Sequence, residues 1–268
     1  MLRPGSRLVI SKLCLGQRCE ARHHLHFRLQ YRLCEVPVAV CARPFIMVRM
    51  VISNIIFDLD GTLIDSARIT GQIIDAMLAE RGVGTAADRD LIKAMDAVGG
   101  VPMIAAVMGA HSSDPAADLE QFRRRHRLVD VPQDVLFPGV ATVIAELSAR
   151  GVGLAICSNK PQALCDKILG DLGIDTHFAI IVGSTPDRPR KPDPASALLA
   201  LDALGGDRQT ALFCGDSVID VETAGSAGVA ACLVGWGYGT AHARDLHPSL
   251  PVLDEMTDLF ALVHEGRA

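Results

Sequence analysis

Val51-Ile52-Ser53-Asn54-Ile55-Ile56-Phe57-Asp58-Leu59-Asp60-Gly61-Thr62 is an apolar run with β-propensity that ends in two aspartates one residue apart and then a glycine. Residues two apart on a strand point to the same face, so both carboxylates converge at the strand's end. Gly61 permits a tight turn beside them. Carboxylates this close raise one another's pKa unless a cation or a shared proton relieves them. A divalent ion is the natural remedy, and hard oxygen ligands suit Mg²⁺. The stretch reads as a metal-assisted site with a carboxylate nucleophile.

Downstream, Ser66 is placed to cap a helix whose Ile69, Ile73, Ile74, Met77 and Leu78 recur at helical spacing. Gly82 and Gly84 end it. Residues 85–131 read as further helices over Leu91–Val98, Pro102–Met108 and Ala116–Val129, with no strand among them. After Phe137-Pro138-Gly139 a helix carrying Val140, Val143, Ile144 and Leu147 runs to Arg150, and Gly151 stops it. Strands and helices then alternate. Strands are expected over Val152–Cys157, His177–Val182, Thr210–Cys214 and Val229–Val234, and Pro161 opens the helix after the first of these. Continuous apolar strands alternating with helices mean a parallel sheet covered on both faces. Such sheets place their sites at the carboxyl ends of the strands, where all the polar clusters fall.

The 268 residues are 49% hydrophobic and 21% charged, an ordinary globular composition. No apolar run approaches the roughly 18 residues that span a bilayer. The net charge of -5 is uneven: residues 1–50 carry +7 and the remainder -12, which argues against nucleic acid as a partner of the folded part. Residues 1–49 show little periodicity and read as a basic, non-catalytic extension, with Met47 or Met50 as the expected true start. The spacings of Cys14, Cys19, Cys34 and Cys41 fit zinc modules poorly, although an Arg-rich transit peptide is an alternative. Cys157, Cys165, Cys214 and Cys232 fall mostly in apolar surroundings, where reduced cysteine packs as a small hydrophobe. With no secretory signal, the expected compartment is the cytoplasm.

The clusters in order are Asp58-Leu59-Asp60-Gly61-Thr62, Cys157-Ser158-Asn159, Lys191-Pro192-Asp193 and Gly215-Asp216-Ser217-x-x-Asp220. Together they resemble the haloacid dehalogenase superfamily of aspartate-nucleophile phosphatases, over about Val51 to the C-terminus. Ser158-Asn159-Lys160-Pro161, Arg190-Lys191-Pro192-Asp193-Pro194 and Gly235-Trp236-Gly237-Tyr238-Gly239 look most like its phosphoglycolate phosphatases. The resemblance implies a doubly wound, Rossmann-like α/β core over 50–66 and 136–268, with a small α-helical cap over 67–135 inserted after the first strand. It implies that Asp58 is the nucleophile and Asp60 the acid and base. Mg²⁺ would be held by Asp58, Asp216 and the main-chain oxygen of Asp60. Ser158, Asn159 and Lys191 would bind the phosphate, and Asp220 would support the metal through water or from behind a ligand.

The implied substrate is a small phosphorylated metabolite, 2-phosphoglycolate first, turned over by a monomer or homodimer with no nucleic-acid or membrane partner. Another sugar phosphate, a nucleotide, pyrophosphate or a phosphomutase reaction remains open on the same motifs. A phospho-accepting regulatory domain or a silent binding protein would be a different class. Ser158 alone reads equally as a helix cap, and Asp65 and Ser66 as caps of the helix that follows them. Arg123-Arg124-Arg125-His126-Arg127 reads as a solvated helix face, since consecutive residues point all around a helix. Lys93, Arg68 and His111 are weaker candidates for contact with a second anion.

Overall fold

The computed structural model describes residues 52–263. The basic segment over 1–49, with its four cysteines, lies outside them. Among the described residues there are six strands: β1 (Asn54–Phe57), β2 (Gly153–Pro161), β3 (Ile180–Ser184), β4 (Ala211–Gly215), β5 (Ala230–Val234) and β6 (Val252–Leu253). They form one sheet in the order β3-β2-β1-β4-β5-β6, and every neighbouring pair is parallel. The chain moves outward from β1 through β2 to β3, then crosses to β4 on the other side of β1. That reversal opens a crevice at the carboxyl ends of β1 and β4.

Alternation along β1 sends Ile55 and Phe57 into one core cluster and Ile56 into the other, so both faces of the sheet are covered. All three side chains are fully buried, and each contributes about 1.5–3 kcal/mol of hydrophobic stabilisation.

Between β1 and β2 the chain forms α1 (Ser66–Ala79), α2 (Arg89–Met95), α3 (Gly100–Met108) and α4 (Pro115–His126), then α5 (Val140–Ala149). No strand interrupts 85–131, as the sequence implied. The expected apolar stripe of α1 is buried. Gly82, at φ +76°, ends the helix in a left-handed turn that suits glycine. Beyond β2 come α6 (Gln162–Asp171), α7 (Ala195–Ala203), α8 (Val218–Ala227) and α9 (Thr240–Leu246).

Four local expectations are corrected. Ser66 does not cap α1: it is the first helical residue, Asp65 takes the cap position, and neither makes a side-chain cap bond. Pro161 closes β2 instead of opening the first turn of α6. β2 also runs past Cys157, while Asp175–His177 is a short 3₁₀ turn and not the start of β3.

Candidate active site

β1 brings Asp58 to the crevice, and Gly61 (φ +76°) turns the chain sharply beneath it. A Cβ at Gly61 would lie 2.7 Å from Asp216 Oδ2, so side-chain bulk there would displace that carboxylate. β4 ends at Gly215, which presents Asp216 beside Asp58. Ser217 and Asp220 then form a capping box that starts α8. Asp220 Oδ2 accepts from the N–H groups of Asp216 and Ser217 at 3.2 and 3.0 Å. Its other oxygen, Oδ1, accepts from Lys191 Nζ at 2.7 Å, and the same ammonium donates to Asp58 Oδ1 at 2.6 Å.

Asp58, Asp216, Asp220 and Lys191 are all buried. Burial pushes the Asp58 carboxyl up to about 7; Lys191 opposes that shift, and Asp220 and Asp60 add to it. Burial, with Asp220 and Asp58 nearby, lifts Asp216 well above the carboxylate range. For Lys191 burial acts downward, but Asp220 and Asp58 hold it well above its ordinary value. Of these three neighbouring carboxylates the ammonium pairs with only two, Asp58 and Asp220, an arrangement that favours a further cation. Oxygen atoms of Asp58, Asp216 and Asp220 lie within 4.8 Å of one another. This hard, all-oxygen donor set fits Mg²⁺.

Ser158 and Asn159 reach the same cavity from β2. Ser158 Oγ accepts from Lys160 N–H at 3.1 Å and does not cap α6. The Asn159 amide is engaged with the Lys191 backbone, accepting from its N–H at 2.8 Å and donating to its carbonyl at 3.1 Å. Asn159 therefore positions the lysine. Asp60 stands apart from the carboxylate group, and its Oδ1 lies 3.0 Å from Lys160 Nζ. β2 extends to Pro161, with a register irregularity in its pairing to β3 after Cys157, and Ser158 and Lys160 both line the cavity. A strand ended at Cys157 hides that relation, and the sequence reading gave Lys160 no role.

The glycine-rich loop after β5 buttresses the first loop. Tyr238 OH donates to Asp65 at 2.5 Å and accepts from Ala67 N–H at 3.1 Å, while Trp236 Nε1 donates to the Thr62 carbonyl at 3.1 Å. Gly239 N–H donates to Asp216 Oδ2 at 3.0 Å.

A cavity of about 550 Å³ joins these groups to α2, α3 and α4. Of the weaker candidates, Lys93 lines it, with Nζ 5.8 Å from the Tyr238 ring centroid. Arg68 instead pairs with Asp134 at 2.7 Å, and His111 is exposed. The arginines of α4 behave largely as a solvated face, with Arg123 and Arg125 paired to Glu120 and Glu80. One wall residue, Asp96, escaped the sequence reading, and another, His126, was read there as part of a solvated face and is buried instead. Asp96, just past α2, is pushed up to about 8 by burial and the charge of Asp60, against the pull of Lys160. His126 faces inward from the basic run and is only 1% exposed. The available signal was its spacing from Leu119 and Phe122, which marks the buried stripe of α4.

Burial, and then the charge of Lys160, lower the His126 pKa from 6.5 to about 4. A depressed folded-state pKa stabilises the fold above the unfolded value, and that contribution is lost as pH falls from about 6.5 through 4. The shift corresponds to on the order of 3 kcal/mol. Thermal unfolding of wild type and His126→Gln at about pH 7 and about pH 4.5 should show a smaller acid-induced loss in the variant. Equal losses would refute this linkage.

Residues 55–234 match the model of the haloacid dehalogenase-like hydrolase family. The chain belongs to that family. It is a hydrolase of the phosphatase kind. It is 33% identical over 214 residues to a protein named phosphoglycolate phosphatase from Rhodospirillum rubrum, covering 76% of this chain and 88% of that one. It is 32% identical over 189 residues to an N-acetylmuramic acid 6-phosphate phosphatase from Pseudomonas putida, covering 69% and 83%. A crystal structure described as a predicted phosphoglycolate phosphatase from Haemophilus somnus superposes with a TM-score of 0.64 at 26% identity, covering 79% of this chain and 97% of that chain. Residues of all four clusters named from sequence line the one cavity. Among the described residues, no helix is long and apolar enough to cross a membrane.

Proposed function

We propose that this phosphatase hydrolyses the phosphate monoester of a small metabolite through an aspartyl-phosphate on Asp58, with Mg²⁺ as cofactor. The observation that carries the reading is the buried cluster of Asp58, Asp216 and Asp220, two of which pair with the Lys191 ammonium. Asp58 and Asp216 side chains and the Asp60 main-chain oxygen would hold Mg²⁺, which when bound supplies positive charge that offsets the phosphate's. An Asp58 oxygen bonds to phosphorus as the ester P–O bond breaks, and the leaving alkoxide takes a proton from Asp60. Asp60 then removes a proton from the water that attacks phosphorus. Inorganic phosphate leaves, and the Asp58 carboxylate is restored. Lys191 steadies Asp58 and the phosphate oxygens, and Ser158 adds a hydroxyl to the phosphate cradle.

The helices over 67–135 act as a cap on the core of 50–66 and 136–268, excluding water from the crevice. Relatives' names support 2-phosphoglycolate as the first ester to assay, with sugar phosphates beside it. The four described cysteines are free and buried, which suits a reducing cytoplasm.

Phosphate release from a panel of esters should depend on Mg²⁺, falling by about 100-fold or more when the ion is chelated, because the metal term is worth several kcal/mol. Equal rates in chelator would sink the metal assignment. Absence of release from every ester would sink the activity.

A further inference from the structure

Lys160 has no part in the chemistry proposed above, yet it lies beside the group that this chemistry asks to move protons. Its Nζ stands 3.0 Å from Asp60 Oδ1, and the two side chains are only 12% and 11% exposed. Lys191 is taken up by Asp58 and Asp220. Among the described residues, Lys160 is then the one cation within ion-pair reach of Asp60. We propose that Lys160 is a positioning residue for Asp60: it holds the Oδ1 side of the carboxyl, so that the proton given to the leaving alkoxide is carried on Oδ2. This rests on the phosphatase reading and names the residue that orients its acid.

The backbone of Lys160 is anchored, so its side chain starts from a fixed point. Its N–H donates to Ser158 Oγ at 3.1 Å, and its carbonyl accepts from the Cys165 thiol at 3.5 Å. A Cβ at Gly183 would lie 3.0 Å from that carbonyl, so β3 packs closely against this end of β2. A carboxylate at such range favours the charged lysine despite burial, and salt screens a largely buried pair little. The contact is an ion pair without hydrogen-bond alignment, since Oδ1 has no hydrogen-bond partner among the described residues. Charge therefore steers the carboxyl without locking it. A proton on Oδ1 would face the N–H donors of an ammonium, which has no lone pair to accept it. That leaves Oδ2 to carry the proton. When the ester P–O bond breaks, its electron pair stays on the alkoxide oxygen and the Oδ2 proton moves to it. The negative charge that develops on Asp60 then meets a cation already in place.

The test sets an alkyl ester, whose alkoxide needs a proton to leave, against 4-nitrophenyl phosphate, whose phenolate leaves without one. The alkyl ester is 2-phosphoglycolate, or whichever of the panel the wild type turns over fastest. Both are assayed with the full chain and Mg²⁺. In Lys160→Met, kcat/KM for the alkyl ester should fall about 100-fold, chiefly through kcat, as expected when an acid loses its alignment. For the aryl ester kcat/KM should stay near wild type. A burst of 4-nitrophenolate should precede slow turnover of that ester, because removing the proton of the attacking water still needs Asp60. Equal losses on both esters mark a role in phosphate binding or packing and overturn the proposal. A loss confined to KM marks a lysine that binds another part of the substrate, and overturns it too. Should Lys160→Met not fold, or the wild type not accept the aryl ester, Lys160→Met combined with Asp60→Asn decides, since it leaves no unpaired carboxylate. Its kcat/KM for the alkyl ester should equal that of Asp60→Asn alone; a further fall overturns the proposal. Failure of the wild type on every ester falls on the phosphatase reading instead.

Discussion

Asp58→Asn should lower kcat by on the order of 10⁴-fold or more while the protein still folds, because an amide of the same shape cannot form the phosphoryl ester. The structure separates this from simple loss of stability. Asp58 is buried, and burial together with Asp220 and Asp60 already disfavours its charged form. A neutral amide there relieves crowding among three carboxylates, and Lys191 keeps Asp220 as a partner at 2.7 Å. The expected melting temperature is therefore within a few degrees of wild type, or above it. Single-turnover phosphate release and differential scanning calorimetry on the same sample check both halves. Substantial turnover with the fold intact would remove Asp58 from the role of nucleophile.

Lys191→Met should be severe in a different way, costing stability as well as rate. Lys191 Nζ bridges Asp58 and Asp220 at 2.6 and 2.7 Å in a site where its side chain is 4% exposed. Removing one partner from a buried ion pair costs about 3–5 kcal/mol, which lowers the melting temperature by about 10 °C in a chain of this size. Its folded pKa lies above the ordinary lysine value. The stabilisation is accordingly complete below about pH 10.5 and fades only as pH rises through the folded value. Mg²⁺ should restore part of the loss, since a divalent cation beside Asp58 and Asp216 supplies some of the missing charge. Turnover should fall about 10²–10³-fold, as for other preorganised charge that steadies a transition state. Calorimetry with and without Mg²⁺, beside kcat and KM, measures this. An unchanged melting temperature without metal would sink the account.

Where the sequence reading succeeded, the chemistry was local. The apolar run before Asp58 had to be a strand, and alternation set which side chains left its end together. Asp216 and Asp220 were legible because Gly215 ends a strand and Ser217, two residues later, caps the next helix. Lys191 was visible only through its company with the other clusters, since a lysine before proline carries no signal of burial. Asn159, expected at the substrate, lines the cavity, and the motif did not reveal that its amide also engages the Lys191 backbone, 32 residues away.

By itself, then, the sequence determined the parallel sheet, the helical insert and the aspartates at the strand ends, because each follows from periodicity within a few turns or residues of chain. Only the tertiary structure decided which cation serves which carboxylate: Lys191 for Asp58 and Asp220, Lys160 for Asp60. It also brought Asp96 and His126 from the insert to the cavity, and Tyr238 to Asp65 across 173 positions. Those pairings depend on how separate elements pack, and burial then sets the charge each group can hold. No local pattern records either.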